Sequence, residues 1–166
     1  MERATMTANA VCPRPDAKAR LTALGLQLPK PPAAVGNFAA AVRDGRLLYL
    51  SGQGPVHAGG VHTGKVGAEV SLEEAYQHAR LTTLNLLSVI EEAAGLSKVC
   101  KVVKVLGMVN AAPDFIAHPA VINGCSDLLI EVFGPEVGAH ARSAVGMGSL
   151  PYQITVEIEM IVALED

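Results

Sequence analysis

The sequence has few aromatic residues and no excess of positive charge. Aromatic residues make up 4% of the chain, tryptophan is absent, and 13 Lys and Arg stand against 16 Asp and Glu. Proteins that bind nucleic acid generally carry a basic surface, and those that bind single strands add aromatic side chains on which bases stack. The composition therefore predicts that nucleic acid is not the main partner.

Features typical of secreted and membrane proteins are also missing. The three cysteines, Cys12, Cys100 and Cys125, are an odd number with no close pair, which argues against a disulfide framework. No apolar run approaches the roughly 20 residues that cross a bilayer. The N-terminus has an acidic residue at position 2 and no apolar stretch behind it, so it is not a secretory signal. We therefore expect a cytoplasmic protein with reduced cysteines and no membrane partner.

The spacings that mark metal and phosphate sites are absent or incomplete. The five histidines never fall at H-x-x-x-H spacing and no C-x-x-C occurs, so no metal site is predicted. The segment Gly59–Lys65 matches G-x-x-x-x-G-K, but Val66 stands where a magnesium-binding hydroxyl belongs. We interpret the surrounding glycine-rich loop, from Gly52 to Gly67, as a flexible hairpin tip or lid.

The apolar content is sufficient for one domain with a large core. Half of the 166 residues are hydrophobic and 17% are charged, and a chain of this length buries about 70% of its unfolded surface. We predict a flexible leader over residues 1–15 and a single domain over residues 16–166. A short helix, Ala17–Leu24, is expected to begin after Asp16 and to end at Gly25.

The rest of the chain has the element order β-β-α-β-α-β-β. Asp44-Gly45 predicts a hairpin turn, and Ser71 with Glu74 forms a capping box before a long helix that ends at Gly95. The remaining predictions are strands at Phe38–Val42, Arg46–Ser51, Val99–Val109, Arg142–Met147 and Tyr152–Leu164, with a second helix over Pro119–Phe133. This order favours an α+β fold, a mixed sheet with both helices on one face. The other face keeps apolar residues, so we expect subunits to associate through it.

The stretch from Ala139 to Met160 concentrates the candidate ligand-binding groups. Arg142 lies in a small, otherwise apolar run, and a strand follows the turn at Pro151. In that strand apolar residues alternate with polar ones, so Glu157 and Glu159 lie on one face. We expect a hairpin to bring the guanidinium and the carboxylates together, which predicts a site for a small carboxylated ligand.

Five short segments carry, in order, a resemblance to a known family. They are Val35-Gly-Asn-Phe38, Ser51-Gly-Gln53, His140-Ala-Arg-Ser-Ala-Val145, Leu150-Pro151 and Val156-Glu-Ile-Glu159. Over about residues 20–166 the chain resembles the RidA/YjgF/UK114 family, and more closely its longer branch, labelled endoribonuclease L-PSP or chorismate-mutase-like. The resemblance implies a chorismate-mutase-like fold and a homotrimer with ligand clefts between subunits. It also implies hydrolysis of reactive enamines and imines to 2-oxoacids and ammonia.

The same resemblance implies roles for particular residues. Arg142 corresponds to the arginine that grips the substrate carboxylate, and Glu157 to the carboxylate associated with the hydrolytic water. Ser51 and Asn123 correspond to pocket residues. Two positions depart from the active members, because Phe38 and Ala144 replace a tyrosine and a cysteine. All six residues are therefore candidate site residues, with Arg142 and Glu157 in the catalytic roles.

The residues alone leave other interpretations open. Arg142 could bridge subunits through a carboxylate, and Ser51 could simply satisfy a backbone group. The two glutamates of the last strand could be solvated or could pair with Lys101 and Lys104 on a neighbouring strand. We favour that role for Glu159 and a functional one for Glu157.

Three functions follow as hypotheses. The first is a homotrimeric deaminase that hydrolyses small carboxylated imines or enamines without a cofactor. The second is a trimer that binds a small metabolite and catalyses nothing, consistent with Phe38 and Ala144. The third is the RNA cleavage in the family label, against which the acidic charge balance argues.

Overall fold

The computed structural model describes Cys12 and residues 16–165, so the predicted leader lies outside the described residues except for Cys12. The first helix, α1 (Ala17–Ala23), begins after Asp16, whose Oδ1 accepts a hydrogen bond of 2.9 Å from the backbone N–H of Ala19. Ala17 and Leu21 are buried, and the helix packs against a later helix of the domain. The predicted short helix and its cap are confirmed.

Five strands form one mixed sheet. Their spatial order is β1 (Ala41–Asp44), β2 (Leu47–Gln53), β7 (Val156–Leu164), β5 (Val99–Asn110) and β6 (Ala141–Met147). β5 and β6 are parallel, and the other neighbours are antiparallel. The predicted glycine-rich loop contains a small separate hairpin, β3 (Val56–His57) with β4 (Gly60–Val61).

Two long helices cover one face of this sheet. α2 (Leu72–Ala93) begins with the predicted capping box, in which Ser71 and Glu74 bond each other's backbone N–H groups. α3 (His118–Gly138) packs beside α2, and the two helices contact β7, β2, β5 and β6. We call this side of the sheet the helix face and the other side the open face. The predicted α+β architecture, with a mixed sheet and helices on one side, is confirmed.

Alternation along β7 shows which side chains point to which face. Val156, Ile158 and Met160 are almost fully buried, as are the later alternate residues Val162 and Leu164. Because successive side chains of a strand point to opposite faces, the residues between them lie on the open face. Glu157 and Glu159 are therefore on the open face, as the alternation predicted.

Two predicted strand boundaries are wrong, and the predicted end of the second helix marks a break within α3. The predicted end at Phe133 is followed by Gly134, whose left-handed φ of 80° interrupts the helix before a second segment continues to Gly138. The last strand begins only at Val156, because Tyr152 has a positive φ of 54° within a 3₁₀ turn before it. The first strand begins at Ala41 rather than Phe38.

The expectation of reduced, unpaired cysteines is also wrong. Cys12 and Cys100 form a disulfide across 88 positions of sequence, which a spacing argument along the chain cannot detect. Such bonds are rare in the cytosol, so this one counts against the predicted cytoplasmic location. Cys125 is free and fully buried in the core, as expected. Among the described residues, every helix is too short or too polar to cross a bilayer.

Candidate functional site

Arg142 is held on the helix face by neutral oxygen atoms. Its Nη1 donates to Asn123 Oδ1 and to Ser126 Oγ, each at 2.9 Å, and its Nη2 donates to the carbonyl of Pro119 at 3.4 Å. All three partners belong to α3. No carboxylate among the described residues forms an ion pair with Arg142. The guanidinium is therefore positioned by the fold while its charge remains available to an anionic ligand.

A short chain of hydrogen bonds, from Gly138 through His140, holds Ser126 beside Arg142. His140 Nδ1 lies 2.6 Å from the carbonyl of Gly138, and His140 Nε2 lies 3.0 Å from Ser126 Oγ. Burial lowers the pKa of His140, and the positive charge of Arg142 lowers it further. The hydrogen bond with Gly138 opposes this shift but does not cancel it. In the neutral ring that the network assigns, Nδ1–H donates to the carbonyl and Nε2 accepts from the Ser126 hydroxyl. Ser126 then offers its oxygen lone pairs to Arg142.

Glu157 lines a cavity of about 290 Å³ at the other end of the predicted site. Burial, and secondarily the charge of Glu159, raises the pKa of Glu157. The backbone of Gly52 passes directly beneath the carboxylate, where a Cβ atom would overlap Glu157 Oε1. Other residues that line the cavity are mostly apolar, and they include Phe38, Val56, Val61, Tyr152 and Ile154.

The three other predicted site residues, Phe38, Ser51 and Ala144, lie in different environments. Phe38 lines the Glu157 cavity, whereas the hydroxyl of Ser51 donates to the carbonyl of Ala39 at 2.7 Å. That contact is the backbone role that the sequence left open for Ser51. Ala144 lies two residues beyond Arg142 on β6 and is partly buried against the core.

The lysine pairing that the sequence left open for the two glutamates is not found. Lys101 Nζ donates to the carbonyl of Glu136 at 2.7 Å, and Lys104 Nζ donates to Ser143 Oγ at 3.2 Å. Glu159 lines a separate open-face pocket together with Lys104. Neither lysine forms an ion pair with Glu157 or Glu159 among the described residues.

Within one chain the site is divided into two parts. Arg142 is paired with Val105 of β5, whose buried side chain faces the helices, whereas Glu157 is paired with Met108. Arg142 and Asn123 therefore lie on the helix face, and Glu157 and Phe38 line a cavity reached from the open face. A single chain brings together the members of each part but does not bring the two parts together.

Sequence reasoning missed Ser126 and His140 as supports of Arg142. The sequence did carry a signal for Ser126, because it follows Asn123 by three residues and so lies on the same side of a helix. The part played by His140 could not be found, because its two contacts depend on how the end of α3 turns into β6.

Comparison with known proteins identifies close relatives. The profile of a family described as "YjgF/chorismate mutase-like, putative endoribonuclease" matches residues 18–162. Protein TCP17 of Trypanosoma cruzi is 41% identical over 150 residues, which are 89% of this chain and 94% of that protein. The 2-iminobutanoate/2-iminopropanoate deaminase of Escherichia coli K12 is 36% identical over 132 residues, 78% of this chain and 89% of the relative.

A solved structure shows the same fold. Protein Atu1372 of Agrobacterium tumefaciens, described as having unknown function, is 39% identical to this chain with a TM-score of 0.81. The match covers 90% of this chain and 94% of the other. The similarity therefore extends over nearly the whole of both proteins.

Proposed function

Because the chain belongs to the YjgF/chorismate mutase-like family, we propose that it hydrolyses small 2-imino acids to 2-oxoacids and ammonia. The observation that carries the proposal is Arg142, a guanidinium fixed by three neutral oxygens. A planar guanidinium binds a carboxylate through two parallel hydrogen bonds. Relatives named as 2-iminobutanoate/2-iminopropanoate deaminases support the same chemistry.

In this proposal the two catalytic residues have separate tasks. Arg142 binds the substrate carboxylate, and Asn123 holds the guanidinium in place. Glu157 takes a proton from water as the water oxygen attacks the imine carbon. With a protonated imine this attack gives a neutral carbinolamine, and Glu157 returns its proton to the carbinolamine nitrogen. The C–N bond then breaks and ammonia leaves, while the hydroxyl gives its proton to the Glu157 carboxylate and the 2-oxoacid forms. A general base works best with a pKa near the working pH, and burial raises the pKa of Glu157 in that direction.

We further propose that a complete site forms between copies of the chain, in a homotrimer. Arg142 and Glu157 lie on different faces of one sheet, so one chain cannot offer both to one small substrate. The open face carries exposed apolar side chains that association would cover, among them Val42, Tyr49 and Val145, which are 57%, 41% and 40% exposed. In such an assembly the Arg142 part of one copy would meet the Glu157 part of another.

The test is turnover of freshly generated 2-imino acids. An amino acid oxidase would supply the imine, and release of ammonia and 2-oxoacid would be followed for the wild type, Arg142→Ala and Glu157→Ala. We expect the wild type to accelerate release and both variants to lose the acceleration. Glu159→Ala is the matched control, since it removes a carboxylate from the same strand and face. Equal release by the wild type and Glu157→Ala would refute the assigned role.

A second candidate function is binding without catalysis. Phe38 lines the Glu157 cavity and Ala144 follows Arg142 on β6, so both positions lack the polar groups that the resembled active members carry. Intact trimers that bind a 2-oxoacid through Arg142 but accelerate none of a panel of small imines would establish this function instead. Retention of RNA at moderate salt would favour the third hypothesis, endoribonuclease activity.

A further inference from the structure

A further cavity, apart from the two described above, plays no part in the proposed deamination. It has a volume of about 570 Å³ and lies between the end of β5, the start of α3 and the end of β6. This volume falls within the range of about 300–1,000 Å³ that is usual for sites of small molecules. The residues that line it include one lysine and one histidine among glycine and apolar residues: Lys65, Ala112, Phe115, His118, Gly146 and Gly148.

Lys65 brings a fixed positive charge to this cavity. Its Nζ donates to Asn110 Oδ1 at 2.7 Å and to the carbonyl of Gly148 at 2.5 Å. Asn110 is fully buried, so this contact anchors the ammonium group firmly. Both acceptors are neutral, and no described carboxylate forms an ion pair with Lys65. An ammonium group has three N–H donors, which leaves one for a ligand.

The carboxylate nearest in sequence serves a different purpose. Glu69 Oε2 accepts a hydrogen bond of 2.7 Å from the backbone N–H of Lys65, not from its side chain. This contact and the left-handed Gly64, with a φ of 119°, fix the backbone where the lysine begins. The G-x-x-x-x-G-K segment is thus not a phosphate loop before a helix, but it does aim its lysine into a cavity.

His118 is held on the other side of the same cavity. Its ring meets that of Phe115 edge to face, with centroids 5.4 Å apart. The ring also lies over the backbone of Gly146, so closely that a Cβ atom at Gly146 would overlap it. Among the described residues no hydrogen-bond partner contacts either ring nitrogen of His118. A fixed imidazole with free nitrogens can donate to an anionic ligand.

We propose that this cavity is a binding site for the anionic group, phosphate or carboxylate, of a small metabolite. Lys65 supplies the charge and one N–H donor, and His118, whose ring lies close against β6 because Gly146 has no side chain, supplies a second donor. Burial within the cavity strengthens such charge-assisted hydrogen bonds relative to water. The apolar wall formed by Ala112 and Phe115 suits an uncharged part of the same molecule.

This site is separate from the one that Arg142 serves. Arg142 and Gly146 are four residues apart on the helix face of β6, which corresponds to about 13 Å along a strand. Arg142 does not line this cavity, and its own hydrogen bonds go to Asn123, Ser126 and Pro119. The proposal does not rest on the deaminase function and would hold for a binding protein equally.

The experiment uses inorganic phosphate as the probe and follows the histidine ring signals by NMR at constant pH and ionic strength. His118→Gln identifies the His118 signal. We expect this signal to shift and saturate with phosphate in the wild type and in Arg142→Ala. Lys65→Met should weaken phosphate binding by at least about tenfold, the equivalent of one charge-assisted contact. Lys30→Met, at an exposed lysine of the N-terminal connector, should bind as the wild type does.

Three outcomes would overturn the proposal. The first is a shift of the His118 signal that grows linearly with phosphate and is reproduced by chloride, which would indicate an adventitious ion only. The second is a folded Lys65→Met protein with unchanged affinity. The third outcome applies if Lys65→Met fails to fold. His118→Gln would then be titrated with phosphate by calorimetry, and a phosphate affinity equal to that of the wild type would refute the site.

Discussion

A single methyl group at Gly52 should separate catalysis from stability. In Gly52→Ala the new Cβ would overlap Glu157 Oε1 and would lie 2.9 Å from its Cδ and 3.1 Å from its Cγ. Ordinary van der Waals contact begins at 3.4 Å, so the carboxyl carbon must move by about half an ångström and the oxygen by more. The far end of a flexible side chain can make this movement without disturbing the sheet.

The expected effects on activity and stability differ in size. A displacement of about 1 Å in a catalytic group can reduce the rate about 100-fold, so imine hydrolysis should fall by about that factor. Gly52 does not have a left-handed φ, so alanine fits its backbone and also restricts the unfolded chain. The free energy of unfolding should therefore change by less than about 1 kcal/mol.

The assay compares imine hydrolysis with denaturant unfolding for Gly52→Ala, Glu157→Gln and the double variant. If the methyl group acts only by displacing the Glu157 carboxylate, it can have no further effect once that carboxylate is absent. The double variant should then hydrolyse imines as fast as Glu157→Gln alone. An additional loss in the double variant would refute this reasoning. So would an unchanged rate in Gly52→Ala. Glu159→Gln, with its carboxylate elsewhere on the open face, should keep its activity.

Three further predictions concern stability. Reduction of the Cys12–Cys100 disulfide should lower the free energy of unfolding by up to about 4–5 kcal/mol, the loop-entropy value for 88 residues. In Cys12→Ser the denaturant midpoint should no longer depend on reductant. Asn85→Ala should cost about 2–3 kcal/mol in chemical denaturation, because this buried amide donates to the backbone carbonyls of Gly54 and Val56. Burial, and secondarily the stacked ring of His62, lowers the pKa of His78 to about 4. Between about pH 6.5 and pH 4 the unfolded chain therefore binds more protons than the folded one. The free energy of unfolding should fall as the pH is lowered through this range, and it should fall less in His78→Gln.

The sequence predicted those features that depend on neighbouring residues. Ser71 and Glu74 lie three residues apart, which is the spacing at which each side chain reaches the other's backbone N–H, and the structure has both bonds. The alternation from Val156 to Leu164 likewise placed Glu157 on the open face, because side chains of a strand change sides at every residue. The family followed from segments distributed in order along the chain.

Features that depend on distant residues were beyond prediction from the sequence. The disulfide joins Cys12 to Cys100, and the lysine of an incomplete phosphate-loop motif meets Asn110 and Gly148 in a cavity that no local pattern encodes. The sequence also suggested that a hairpin brings Arg142 and the carboxylates together. In the structure β5 lies between β6 and β7, and this insertion separates Arg142 from Glu157.

The sequence alone therefore determined the elements, their order and the chemical character of the candidate residues, because propensity, capping and alternation act over a few positions. Tertiary structure decided which of those residues meet. That outcome depends on strand order, register and the packing of α3 on β6, which are set by long-range contacts throughout the core. For this protein the packing holds Arg142 by neutral oxygens and directs Lys65 into a cavity of its own.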